Sequence, residues 1–204
     1  MNVSLDRVGK YYTGDWIFQN VCAQFEANSI YGIIGHNGSG KSTLLQIIAG
    51  FITPNSGVVS YNNGSTAVEA VYRNLSLCTP YLSMANEFTI EETIEQHMQH
   101  KSLMPGYTLE SILEDTSLVD HRHKTLAKLS SGMAQRLKLA LAIFTNSSLL
   151  ILDEPCSNLD SQWSEWYARK IEQCSKDRTI IIGSNNNTIE LGLCNQSHLD
   201  ISAH

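Results

Sequence analysis

A loop rich in glycine leaves this 204-residue chain few ways to fold: Gly35-His36-Asn37-Gly38-Ser39-Gly40-Lys41-Ser42-Thr43. Ahead of it runs Ile30–Ile34, short and apolar, as a strand buried on both faces reads. Behind it Leu44, Leu45, Ile47 and Ile48 follow helical spacing over residues 41–49, and Gly50 is a stop signal. Strand, glycine loop and helix in that order form a phosphate cradle. The glycines let successive N–H groups turn inward around a β-phosphate with no side chain intruding. Lys41 brings a cation to the β- and γ-phosphates, and the Ser42 hydroxyl is a ligand for Mg²⁺. The helix directs its positive end at the same anion. The segment from Gly35 to Thr43 is therefore the candidate nucleotide-binding element, with His36 at a variable, exposed position.

A second apolar run, residues 149–152, ends in Asp153-Glu154-Pro155, 112 residues beyond Lys41. A strand end delivers carboxylates to the open edge of an α/β sheet, where ligands bind. Asp153 can hold Mg²⁺ through a water, and Glu154 can polarise an attacking water. Composition narrows the partners. The net charge of −6 argues against broad binding to nucleic acid, which needs clustered Lys and Arg. No apolar run is long enough to span a bilayer, and the first residues do not read as a signal peptide, so a soluble chain is expected. The five cysteines are odd in number and scattered, which reads as reduced, mostly buried thiols, with Cys156 a small filler at a tight turn.

Elsewhere the periodicity is coarser. Val3, Leu5 and Val8 suggest an extended start, and residues 20–26 alternate as a strand. Residues 52–75, with Pro54, Gly57 and Gly64, read as hairpins and turns. Residues 89–128 read as mostly helical and polar, broken at Pro105-Gly106. Residues 131–146 carry Met133, Leu137, Leu141 and Phe144 on one helical side, and 179–182 is a further buried strand. His97, His100, His121 and His123 read as solvated helical faces, because no Cys or acidic cluster of matching spacing joins them. The pattern implies one α/β domain with a helical insertion.

Leu129-Ser130-Ser131-Gly132-Met133-Ala134-Gln135-Arg136 lies between the two motifs, and Ser157-Asn158-Leu159-Asp160 follows Glu154. Ser130 and Ser131 suit a helix N-cap, and a helix start of this kind is an anion site. The order of phosphate loop, helical insertion, signature helix, acidic strand and D-loop resembles the ATP-binding cassette (ABC) family over almost the whole chain. It is most similar to the separate ATP-binding subunit of a bacterial ABC transporter. The resemblance implies a P-loop NTPase core with a mixed sheet, a small antiparallel β subdomain and a helical insertion. Residues 1–80 and 147–204 would form the core and about 81–146 the helical subdomain. It implies ATP and Mg²⁺ as cofactors, and Ser130, Ser131 and Gly132 facing the γ-phosphate held by a second ATP-binding subunit, taken as an identical copy. Lys10-Tyr11-Tyr12 resembles the family's aromatic loop, with Tyr12 the ring that stacks on adenine. The partner implied is a membrane permease on a separate chain, docking around residues 78–95, with no nucleic acid involved. The place implied is cytoplasmic, peripheral at the inner face of the cell membrane. Little chain is left for an accessory C-terminal domain. A soluble role in iron–sulfur assembly stays open as the alternative.

Three motifs depart from the family pattern, at four positions. Ser131 and Met133 replace a Gly and a Gln of the signature. Tyr81 stands where the family has a Mg²⁺-facing glutamine, and a phenol is a poor ligand for a hard cation, with Asn86 or Glu87 as candidate substitutes. Asn185 takes the place of the switch histidine; it can donate to a γ-phosphate but cannot become cationic. Losing a charge-assisted contact in the transition state slows chemistry more than it weakens ATP binding. The expectation is robust Mg-ATP binding with slow turnover.

Overall fold

The computed structural model describes residues 1–203. Strands β3 (Ile30–Ile34), β5 (Leu75–Cys78), β6 (Leu149–Asp153), β7 (Thr179–Ser184) and β8 (Leu199–Asp200) form one sheet in the order β5-β6-β7-β3-β8, paired in parallel throughout. Strands β1 (Val3–Tyr12), β2 (Asp15–Phe25) and β4 (Ser56–Tyr61) form a second, antiparallel sheet in the order β2-β1-β4. The helices are α1 (Lys41–Ile48), α2 (Ile90–His100), α3 (Leu109–Asp115), α4 (Ser131–Phe144), α5 (Ser161–Cys174) and α6 (Thr188–Gly192).

Every residue of β6 and β7 is buried, which is why both read as unbroken apolar runs rather than alternations. Their alternate side chains serve two cores. Leu149, Ile151 and Ile181 pack with α1 and the antiparallel sheet. Leu150, Leu152, Ile180 and Ile182 pack with α2, α4 and α5. The parallel sheet is therefore covered on both faces, and its strand ends are left to carry the chemistry.

Val3, Leu5 and Val8 do not keep a period of two, and the reason is a bulge. Leu5 pairs with Ala23 and Val8 with Val21, so β1 carries one extra residue, and Arg7 sits there at φ 50°. The bulge returns Val8 to the core, fully buried. The segment expected as hairpins and turns contributes β4 to the antiparallel sheet, followed by short 3-10 turns. The segment 89–128 holds α2 and α3 separated by irregular chain. A reciprocal capping box starts α2: Thr89 Oγ1 accepts from the Glu92 N–H at 3.2 Å, and Glu92 Oε2 accepts from the Thr89 N–H at 2.8 Å.

Two expectations are corrected. The helix expected over 131–146 ends at Phe144, because Thr145 is extended and its backbone bridges to Leu103. His97 is not on a solvated face. It is half-buried, and its Nε2 lies 2.7 Å from Thr145 Oγ1. That hydroxyl already donates to the Leu141 carbonyl, so His97 donates and is the Nε2–H tautomer. Burial holds its pKa below the usual imidazole value. His100, His121 and His123 are exposed.

Candidate nucleotide site

The phosphate loop runs from the end of β3 into α1 and frames a cavity of about 340 Å³ lined by Ile17, Asn37, Gly38, Gly40, Lys41, Ser42, Thr43 and Glu154. Two glycines are set by their surroundings. A Cβ on Gly35 would lie 2.4 Å from Ser39 Oγ, and one on Gly40 would lie 2.6 Å from Ile17 Cγ2. Gly40 also has φ +98°. A side chain at either position would push the loop out of its curve. Asn37 and Gly38 are at the exposed rim with His36, whereas Ser39 is buried.

Lys41 is only 5% exposed. Its ammonium donates to the carbonyls of Gly35 at 2.9 Å and His36 at 3.2 Å, and it lies 3.9 Å from Glu154 Oε1. One cation thus joins the loop to the acid at the end of β6. Such an ammonium needs little reorganisation to meet phosphate oxygens entering the loop.

Asp153 is 1% exposed, and neither of its carboxylate oxygens has a hydrogen-bond partner. Burial pushes its pKa up; the Ser42 hydroxyl and the Lys41 charge pull the other way, and the neighbouring Glu154 adds to the rise. A buried carboxylate without partners is costly unless something compensates it. An all-oxygen pair of hydroxyl and carboxylate suits Mg²⁺, so Ser42 and Asp153 fit the cation that a nucleotide triphosphate carries. Asp153→Asn is expected to raise the melting midpoint in metal-free buffer by about 2–4 °C, the shift that ~1 kcal/mol produces in a chain of this size. The same change is expected to abolish any stabilisation by Mg²⁺ with nucleotide. Thermal scans with and without Mg-ATP check both, and a lowered midpoint in metal-free buffer would contradict the assignment.

Glu154 has φ +47°, a left-handed conformation that a non-glycine residue adopts only when its surroundings hold it there. Its N–H donates to the Gly183 carbonyl at 2.9 Å, and the Ser157 N–H donates to its carbonyl at 3.0 Å. From α4, Gln135 Nε2 donates to the Pro155 carbonyl at 2.9 Å. Gly183 must lack a side chain, since a Cβ would lie 2.7 Å from Leu45 and 3.0 Å from Asp153 Oδ1.

Other residues anticipated from sequence lie outside this cavity. Ser130 caps α4, its Oγ accepting from the Met133 N–H at 3.2 Å, and it is exposed with Ser131. Gly132 abuts the D-loop, where a Cβ would lie 3.2 Å from the Asn158 carbonyl. Tyr12 is exposed on the β1–β2 hairpin, with Lys10 Nζ 5.1 Å from its ring centroid. Tyr11 packs edge-on against Trp16. Asn185 is exposed just beyond β7. Burial raises the Tyr81 phenol, with Thr79 and Gln46 beside it and the Asp153 charge within reach. Asn86 and Glu87 are exposed and do not line the cavity. Sequence reasoning missed Ile17, which enters the cavity from β2, as well as the Gln135 contact to the acidic turn.

The ABC transporter family model matches residues 18–157. A Bacillus subtilis (strain 168) protein named as an uncharacterized ABC transporter ATP-binding protein, YcbN, is 28% identical over 187 residues, which is 90% of this chain and 61% of that protein. The human retinal-specific phospholipid-transporting ATPase ABCA4 is 32% identical over 173 residues, 79% of this chain and 7% of that protein. The chain therefore spans between 7% and 61% of the length of these relatives. The ATP-binding cassette MJ0796, in a dimeric post-hydrolysis state bound to ADP and Pi, superposes with a TM-score of 0.82 at 21% identity. That match covers 98% of this chain and 95% of the other, and it shows the shared fold. Because the family model spans well over half of its residues, the chain belongs to the ABC transporter family, as an ATP-binding ATPase domain.

Proposed function

We propose that this chain is the ATP-hydrolysing subunit of an ABC transporter, driven by Mg-ATP-dependent closure of two cassettes. The observation that carries the reading is Lys41, buried and held between the loop carbonyls and Glu154 in one nucleotide-sized cavity. In this reading the loop residues Gly35 to Thr43 hold the phosphates, and Tyr12 and Ile17 flank the base and sugar. Ser42 and Asp153 hold Mg²⁺, which neutralises charge on the phosphate oxygens when bound. Glu154 orients and deprotonates the attacking water, and Asn185 contacts the γ-phosphate. Ser130, Ser131 and Gly132 lie outside their own chain's cavity, the two serines exposed and Gly132 half-buried, so the serines are open to a second copy's nucleotide. ATP joins the halves, and losing the γ-phosphate releases them, which is a population shift set by ligand contacts.

Among the described residues no helix is long and apolar enough to cross a membrane. In this reading the motion is passed to a membrane permease, taken as a separate chain. A cavity of about 360 Å³ between the core and the helical insertion supports that docking. It is lined by apolar groups including Phe51, Leu77, Leu82 and Met84, with Lys101 and Lys138 at its walls. The chain then sits peripherally at the cytoplasmic face. Tyr81 supplies no amide oxygen where the family has a glutamine, Asn185 supplies no cation where it has a histidine, and turnover is expected below about 10 s⁻¹, the median for enzymes.

The test is the molar mass of Glu154→Gln by light scattering. Mg-ATP is expected to convert the 22.7 kDa monomer to a dimer, and EDTA to reverse it. A chain that binds ATP yet remains monomeric at all concentrations contradicts pairing with itself. Detergent-resistant co-purification with a polytopic membrane protein supports the transporter role, and its absence from the native membrane fraction opposes it.

A further inference from the structure

Glu190 lies on α6, away from the nucleotide cavity, and is only 2% exposed. It nevertheless has a carboxylate rather than an apolar group. One oxygen, Oε1, accepts from the Cys156 N–H at 2.9 Å; the other, Oε2, accepts from the Ser184 hydroxyl at 2.5 Å. The two donors belong to different loops. Cys156 closes the turn that begins at Glu154. Ser184 ends β7 immediately before Asn185.

The second loop is closed on the same group. Ser184 Oγ accepts from the Asn187 N–H at 3.1 Å. Asn187 Oδ1 accepts from the N–H groups of Ile189 at 2.9 Å and Glu190 at 3.3 Å, capping α6. Asn185 and Asn186 are therefore held between two anchored residues, with Asn186 at φ 57°. The first loop carries Glu154 at φ +47° and is gripped from the other side by Gln135 through the Pro155 carbonyl. A buried carboxylate is expensive, and an apolar side chain of similar size would fill this space at lower cost. Its presence fits a role that needs two hydrogen-bonding atoms on one side chain, bridging Cys156 and Ser184 at once.

We propose that Glu190 is a positioning residue for hydrolysis, a clamp that holds the Glu154 turn and the Asn185 loop in one fixed relation. This rests on the assignment of the chain as an ATPase with Glu154 and Asn185 at the reacting phosphate. A misplacement of about 1 Å between reacting groups can cost about a hundredfold in rate, whereas phosphate binding by the Gly35–Thr43 loop does not depend on this contact.

The test is single-turnover hydrolysis of labelled ATP with enzyme in excess, which reads even slow chemistry, alongside Mg-ATP binding. Glu190→Leu is expected to slow the chemical step at least about tenfold while the ATP dissociation constant stays within about threefold, since positioning acts on the transition state. Glu190→Gln accepts from Cys156 and donates to Ser184, and is expected to recover the rate to within about threefold of wild type. Ser184→Ala removes the bond to Glu190 together with the one from the Asn187 N–H, leaves the Cys156 bond in place, and keeps the proposal testable where Glu190→Leu fails to fold; it is expected to slow the step by about threefold or more. Wild-type rates in Glu190→Leu or Ser184→Ala overturn the proposal, as does a rate loss matched by an equal loss of ATP affinity. A Gln variant as slow as the Leu variant overturns it too. Wild-type protein that binds ATP and never cleaves it overturns instead the assignment on which the proposal rests.

Discussion

Glu154→Gln is expected to lower ATP turnover by about a hundredfold or more, the usual contribution of a positioned general base, while Mg-ATP affinity changes little. The substitution keeps the shape of the side chain and an oxygen that can face the Lys41 ammonium, 3.9 Å away in the wild type. It also keeps the backbone bonds to Gly183 and Ser157 that hold residue 154 at φ +47°. The amide cannot take a proton from water. The effect belongs in kcat and not in nucleotide binding, because the lost interaction exists only in the transition state. Phosphate release by wild type and variant, measured beside ATP binding, reads both. A variant with wild-type turnover would remove Glu154 from the chemistry and leave Asp153 as the only acid there.

The second large effect is on stability. Arg178 is 2% exposed, and among the described residues it makes no salt bridge to a carboxylate. Its guanidinium donates to the carbonyls of Ala142 and Ile143, in the last turn of α4, where no intrahelical donor remains. It also donates to Ser76 Oγ at 3.0 Å and Ser147 Oγ at 2.8 Å. One side chain therefore ties β5, the end of α4 and the chain entering β6. Burial lowers its pKa to about 10, which leaves it protonated near neutral pH. Arg178→Met keeps most of the volume and removes every donor. The two helix-end carbonyls left without this donor, and the two serine hydroxyls left only with each other, cost about 3 kcal/mol in sum, which lowers the melting midpoint by about 6–12 °C in a chain of this size. Urea titration checks it; a loss under about 1 kcal/mol would mean that water reaches those carbonyls.

What could be read from the sequence was whatever ties a residue type to a local backbone need. The phosphate loop is recognisable because Gly35 and Gly40 are required by close approaches that no other residue allows. The acids after β6 stand out because a fully buried strand must end where polar groups can emerge. Ser130 reads as a cap, and it is one. Long-range contacts left no such trace. Ile17 is one apolar residue among many on β2, and only its packing on Gly40 brings it to the cavity. His97 sits in a polar helix, and its burial depends on Thr145, 48 residues away. The β1 bulge hid the inward face of the first strand, since Val8 breaks the alternation that Val3 and Leu5 begin. Glu190 and Arg178 look like ordinary surface charges in sequence; their burial follows from which loops the sheet order brings together.

Calorimetric titration of ATP into the purified wild-type chain, with Mg²⁺ and then with EDTA, tests the central claim most directly. One nucleotide per chain, bound much more tightly with Mg²⁺ than without it, is the result expected from Lys41 and Ser42 at the cavity with Asp153 buried behind them. No binding, or binding indifferent to Mg²⁺, would contradict the account.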